Sequence, residues 1–429
     1  MQLNEHPLRR QVVGEMHLRR WPRLSAPAQV IQILRILTPE DRAAEAALLA
    51  DLPAGAYLAP GENPRHVEGD LAPGLSFAIE HHSEASGITL FHRPGVGGAP
   101  DAPAMSIEDA LAWAGRFPGQ VIRATWLHVL RDEAAAEALL PEVGFVGSDL
   151  VSCRIGGDEA GAGGVRLWSD FRIGPDGFGV ALVAADDMPD GDLSRLLQRF
   201  QELGNYRNLA LLGLPVAQAH WGRLDAAEAA LRQLGQDVAR PEVTDDMLLE
   251  RVSALSLDLM SITAQTRYRM SATAAYAQLV EERLAGLNVR RVPGYPSLVH
   301  FTQRRLLPAA RTCGAFDRRL GELTARAADF TALLRTRVET RIENQNGQLL
   351  RSMERSSSLQ LRLQQLVEGL SVVALSYYGL SLIGYMLKAW EKVDHDFPAT
   401  TLTGGLVPVV LGGMYWGIHR MKARLLGDH

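Results

Sequence analysis

A lone carboxylate, Glu368, stands immediately before an uncharged stretch that opens at Gly369. Taken at the 3.5-residue step of a helix that packs against copies of itself, it belongs to a stripe. That stripe is Ser357, Leu361, Gln364, Glu368, Ser371, Leu375, Tyr378, Leu382 and Tyr385. In an oligomer Glu368 would repeat as a ring that attracts cations, while Leu375 and Leu382 would form apolar constrictions. The same carboxylate can also simply face water at the end of a span, so both uses stay open. Other reactive types are less well placed. His81, His82 and His92 fall in one strand-turn-strand pattern, but adjacent strand residues point to opposite faces, and no metal site is expected. The glycine runs Gly95-Val96-Gly97-Gly98 and Gly161-Ala162-Gly163-Gly164 lack the lysine that ends a phosphate-binding loop. The second run precedes a strand, whereas a dinucleotide fingerprint opens a helix, so both are read as loops. Arg267, Arg269, Arg283, Arg290, Arg291, Arg304 and Arg305 gather positive charge that would suit a phosphate or anionic headgroups. Pairing with Glu281, Glu282 and neighbouring acids is the commoner fate of such a cluster. No Ser-His-Asp or Cys-His spacing nominates a catalytic group. Neither an enzymatic activity nor a bound cofactor is expected.

These residues need elements to hold them, and composition limits what those can be. The 429 residues are 47% hydrophobic and 22% charged, an ordinary globular balance with room for two or three domains. A formal charge of -5 argues against a nucleic-acid partner held by bulk positive charge. Two cysteines, Cys153 and Cys313, exclude a four-cysteine zinc site and fit small buried hydrophobes. The mean hydropathy of -0.04 suits a soluble protein, yet the average conceals the C-terminal end.

Gly369 to Leu387 carries no charge, and about 28 Å of helix at 1.5 Å per residue matches a bilayer core. A second uncharged run extends from Phe397 to Ile418. Two spans, about 369–387 and 398–418, joined by a polar loop, make a transmembrane hairpin and give the lipid bilayer as a partner. Nothing in the N-terminal residues reads as a signal peptide, so the preceding residues are expected to stay in the cytoplasm. Arg351, Arg355 and Arg362 before the first span, and Arg420, Lys422 and Arg424 after the second, agree with both termini inside. The connecting loop, with Glu391, Asp394 and Asp396, would then lie outside. Gly413 and Gly417 have the spacing of a small-residue helix contact, and Trp390 and Trp416 suit the interfaces.

The part before the hairpin divides by pattern. LSFAIEHH and GITLFHR around SEASG read as a β-hairpin, and Ser106 with Asp109 caps a helix. VIRATWLHVL is a strand, and DLVSCRI, GVRLWSDFRI and FGVALVAA form a meander turning at Gly174-Pro175-Asp176-Gly177. A helical stretch from Asp192 to about Leu234 is expected to break near Gly204 and at Pro215. The fold class is therefore an α+β domain over 1–235, a long-helix hairpin and coiled-coil-like stalk over 236–365, and the membrane hairpin over 366–429. Within the stalk, Val252, Leu255, Leu259 and Ile262 form one apolar face, and Arg291 to Gly294 break the chain. The next helix is expected to start near Pro308. Phe316, Leu320, Leu323, Ala327, Phe330 and Leu334 make its seam, and with no proline from Ala309 to Phe397 it can run as one helix into the first span.

The segments GNYRNLALLGLP (204–215), AQTRYRMSATAAYAQLVEERLAGL onward (264–313), RVETRIENQNGQLLRSMERSSSL onward (337–385) and the last span resemble a bacterial family of membrane-anchored proteins of unassigned activity. The order of parts is also similar to the CorA-type magnesium channels. That resemblance implies a homo-oligomer, a pentamer in those channels, in the inner membrane, with the first spans lining a cation pore. The channels close that span with Gly-Met-Asn; this chain has Gly384-Tyr385-Met386, without the amide oxygen for a hydrated divalent ion. The expected function is thus a CorA-like cation channel or transporter with a divalent cation as its cargo. The alternative is a non-conducting anchored scaffold that presents a partner- or ligand-binding domain.

Overall fold

The computed structural model describes residues 4–15, 21–59, 65–95, 105–157, 163–391 and 398–426. The chain forms two units, Met1–Thr331 and Ala332–His429.

After a short helix α1 (Arg9–Glu15), the first unit is built on one sheet. Its strands are β1 (Ala28–Ile36), β2 (Tyr57–Leu58), β3 (His66–Ala72), β4 (Leu75–His81), β5 (Ala85–His92), β6 (Gln120–Leu130), β7 (Val151–Ile155), β8 (Val165–Ser169), β9 (Gly179–Ala184) and β10 (Arg290–Arg291). They lie in the order β10-β7-β8-β9-β6-β1-β5-β4-β3-β2. β6 and β9 pair in parallel, and the other described pairings are antiparallel. The expected hairpin and meander are both present, the latter turning where the Gly177 N–H donates to Gly174 O at 3.0 Å.

Side-chain alternation divides the core between the two faces of the sheet. Ile31 and Ile33 of β1, Phe77 and Ile79 of β4 and Ile88 and Leu90 of β5 pack with Trp113 and Phe117, beneath α2 (Pro39–Ala50) and α3 (Ile107–Gly115). α4 (Glu133–Val143) covers the same side of β9 through Ala136, against Leu182 and Ala184. On the other face Val30, Leu34, Leu127, Leu167 and Val183 meet Leu197, Phe200 and Leu203 of α5 (Asp190–Leu211). α6 (Gly213–Asp237) and α7 (Asp245–Gly286) extend this second layer, with α7 lying along both α5 and α6. α3 starts as expected: the Ser106 hydroxyl accepts from the Asp109 N–H at 3.0 Å, and the Asp109 carboxylate accepts from the Ser106 N–H. Ser106→Ala is expected to cost about 1 kcal/mol, read as a lower midpoint in urea unfolding of the full-length protein.

Two expected breaks and one expected start are corrected. α5 passes unbroken through Gly204, and the chain turns instead at Leu212. The glycine is there for packing: a β-carbon at 204 would fall 2.5 Å from Nη2 of Arg123, which enters from β6. Pro215 lies in the first turn of α6, where a missing N–H forfeits no helical bond. The third long helix, α8 (Leu298–Glu391), begins ten residues before Pro308 and follows Ser297, whose hydroxyl accepts from the His300 N–H at 3.3 Å. Pro308 is on an exposed side, where the carbonyl it leaves unbonded can be hydrated.

Arg123 sits in a cage of amides. Its guanidinium donates to Gln32 Oε1 at 3.1 Å, Asn205 Oδ1 at 2.8 Å and Gln201 Oε1, while Gln32 Nε2 donates to Thr89 Oγ1 at 3.0 Å.

α8 runs without interruption past Gly347 and Ser356-Ser357-Ser358, as its sequence led us to expect. In the first unit it is tied to α6: the Phe316 ring lies 5.9 Å from Trp221, and Arg319 pairs with Asp225 at 2.7 Å and with Glu228. Phe316, Leu320, Leu323 and Ala327 of the expected seam are buried. The second unit holds the rest of α8 and α9 (Ala399–Leu426).

Candidate functional site

Within the second unit, α8 and α9 meet over small residues. A β-carbon added at Gly379 would lie 3.8 Å from Val410 Cγ1, and one at Gly384 3.6 Å from Thr403 Cγ2. Ser376, one turn before Gly379 on the same face, is buried. Ser371, Leu375, Tyr378, Leu382 and Tyr385 are all exposed, on the opposite side of the helix from that contact. α9 leaves these residues uncovered, as it does Leu370, Val373, Tyr377 and Met386. Glu368 begins the stripe half-buried, accepting from Gln364 Nε2 at 3.3 Å. Gly413 and Gly417 play no part in the contact with α8, since a β-carbon at either would meet nothing within 4 Å. Glu391 is the last residue of α8; Asp394 and Asp396 lie outside the described residues, as do Gly97, Gly98, Gly161 and Ala162. At the far flank the Arg420 guanidinium lies 4.7 Å from the Trp416 ring, a charge and an aromatic side by side at the end of the apolar run.

α8 and α9 are each long and apolar enough to cross a membrane, and almost none of either apolar window is buried by the rest of the chain. Large side chains stay exposed before the span as well: Leu349, Met353, Leu363 and Leu366, the last 72% exposed.

In the first unit the histidines diverge. His81 Nε2 is 2.8 Å from Glu45 on α2, whereas the His82 ring stands edge-on to Tyr206 on α5. Among the described residues no group of three or more metal-ligating side chains forms. Two of the arginine cluster pair with acids, Arg269 with Glu84 and Arg283 with Glu202, at 2.6 Å in the second case. Arg291, Arg304 and Arg305 instead line an open hollow with Tyr295 and His300. Both cysteines are buried, and burial pushes the Cys153 thiol up to about 11, away from thiolate chemistry.

Two arginines that the sequence reading did not select, Arg123 and Arg207, face the interior between β6 and α5. Their signal was there: one arginine inside the apolar strand VIRATWL, another inside the helical run GNYRNLALL. A charge in mid-element among apolar neighbours requires a partner.

The class defined by these features is a mixed α+β sheet domain followed by one long helix and a final helix, two of whose segments can span a bilayer. The chain belongs to the DUF3422 family, proteins of unknown function, matched over residues 4–425. A search of curated proteins finds no match.

Proposed function

We propose that the protein is a homo-oligomeric inner-membrane protein with CorA-like architecture, both termini in the cytoplasm, whose first spans together line a path for cations. The observation that carries the reading is the uninterrupted α8, whose stripe from Ser371 to Tyr385 is exposed opposite α9. An apolar face of that length outside a protein core needs lipid or another copy against it. The exposed Leu349, Met353, Leu363 and Leu366 lie before the span, beyond the reach of lipid tails, and favour another copy. Glu368 would ring the inner mouth, and the tyrosine at 385 the outer one. Lacking an amide oxygen there, the path should prefer cations by charge rather than by recognising a hydrated magnesium ion.

Glu368→Gln in proteoliposomes is expected to lower cation flux several-fold, because neutralising the ring removes the local excess of cations. Unchanged flux would remove the carboxylate from the path. A second reading, an anchored scaffold that does not conduct, is favoured by the bulk of Tyr378 and Tyr385 on the same face, which would close a narrow ring. Flux equal to that of empty vesicles from a verified closed ring would select it.

A further inference from the structure

Between β6, the β8–β9 connection and α5 lies a cavity of about 300 Å³. Arg123, Arg172 and Arg207 all line it, and none of its described lining residues is an aspartate or glutamate. Arg172 is neutralised from outside the cavity by Asp149, which accepts from its Nε at 2.8 Å and its Nη2 at 2.6 Å. Arg123 has neutral amide oxygens as its partners. Arg207 has less. Its guanidinium carbon lies 4.9 Å from the Phe171 ring and 5.3 Å from the Phe301 ring, and no described residue gives it a hydrogen bond or an ion pair.

The remaining polar groups of the wall are already engaged. Ser169 Oγ donates to Val180 O at 2.7 Å and accepts from the Phe171 N–H at 3.1 Å; Asn208 Nδ2 donates to Ile122 O at 3.1 Å. Thr125 exchanges hydrogen bonds with Gln201. Burial, and then the neighbouring Arg207, pushes the Arg123 guanidinium down to about 9; burial and then Arg305 push Arg207 down to about 10. Both remain charged at neutral pH. Among the described residues no acid faces these two like charges inside the cavity, an arrangement that costs stability unless an anion is held there. Phe171, whose ring forms part of the wall, is also held at a φ of 54°, a left-handed conformation that is strained for a bulky residue. Beside the charges the lining is apolar: Val121, Ile122, Phe171, Ile173 and Phe200.

We propose that this cavity binds a small organic anion, with its carboxylate or phosphate group at Arg207 in the field of Arg123 and its flat apolar body against Phe171 and Phe200. Two uncompensated guanidiniums favour a dianion over a monoanion. The volume suits a molecule with a single ring. The site is independent of whether the hairpin conducts.

The test is thermal unfolding of the full-length protein in mild detergent, with phenyl phosphate, phthalate, benzoate and inorganic phosphate as probes. Benzyl alcohol is the neutral control, and sodium chloride matches the ionic strength. Phenyl phosphate or phthalate is expected to raise the midpoint saturably by several degrees, and benzyl alcohol to leave it unchanged. A shift with phenyl phosphate alone identifies a phosphate ligand, and one with phthalate alone a carboxylate. Arg207→Gln is expected to unfold no earlier than the wild type, since an unpaired charge is gone, and to lose the ligand shift. Ile173, 80% exposed at the rim, provides a variant that folds: Ile173→Asp should weaken the apparent affinity at least tenfold. No shift with any anionic probe, an equal shift with sodium chloride, or wild-type affinity in both variants would overturn the site.

Discussion

Gly204→Leu is expected to destabilise the sheet domain by about 3 kcal/mol, near the upper end for overpacking a core. Its β-carbon alone would stand 2.5 Å from Arg123 Nη2 and 2.6 Å from Cζ. A flexible arginine elsewhere would swing away, but this one is fixed by Gln32, Gln201 and Asn205. Displacing it leaves buried amide oxygens unpaired, at about 1–3 kcal/mol for each group left unsatisfied. Gly235→Leu on α6 is the matched control, because a β-carbon there meets nothing within 4 Å and leucine is a better helix former than glycine. Urea unfolding followed by tryptophan fluorescence should show a lower midpoint for the first and no loss for the second. Equal midpoints would mean that Arg123 is free to move, and the caged guanidinium would have to be given up.

Val409→Arg is expected to expel the second span from the bilayer. Val409 is exposed near the middle of α9, away from the small-residue contacts with α8. An arginine at the centre of a spanning helix costs about 2.5–3.5 kcal/mol on insertion scales, roughly 70- to 400-fold in the insertion equilibrium. The apolar run 398–418 is broken by Pro408 and several glycines and has little surplus hydrophobicity to absorb that. Membranes washed with alkaline carbonate and probed for protease access to the C-terminus should show it shifted for Val409→Arg and unchanged for Val409→Leu. Identical accessibility in the two would count against α9 as a span.

What the sequence made legible was periodicity. The alternation in LSFAIEHH and GITLFHR specified β4 and β5, the Ser106–Asp109 pair specified the start of α3, and the seam from Phe316 to Leu334 with no proline from Ala309 to Phe397 specified α8 as a single helix. Each of these signals lies within a few residues of what it determines. The misreadings share the opposite property. Gly204 reads as a helix breaker because the guanidinium that occupies its space arrives from β6, some eighty residues earlier. Pro308 reads as a start because exposure, which makes an interior proline tolerable, is decided by the packing of α8 on α6. Ser297 was the actual start signal and was hidden behind the stronger punctuation of Pro293-Gly294.

The candidate sites divide in the same way. The stripe from Glu368 to Tyr385 was visible because a helix face is a local property, and the exposure of those residues opposite α9 follows from the glycines at 379 and 384. The cavity between β6 and α5 was not visible, because Arg123 and Arg207 come together only through the strand order that sets β6 beside β1 and β9. Pairing with Glu281, Glu282 and neighbouring acids was expected, but Arg269 and Arg283 pair instead with Glu84 and Glu202, from other parts of the chain.

The proposed path requires copies of α8 to assemble around a common axis in the membrane. Light scattering after size exclusion of the full-length protein in mild detergent, with the detergent mass subtracted, tests it most directly. A closed ring of four or more copies, five on the CorA-like plan, is the expected result. A monomer or dimer that persists after lipid is restored would contradict it, since so few first spans cannot enclose a path.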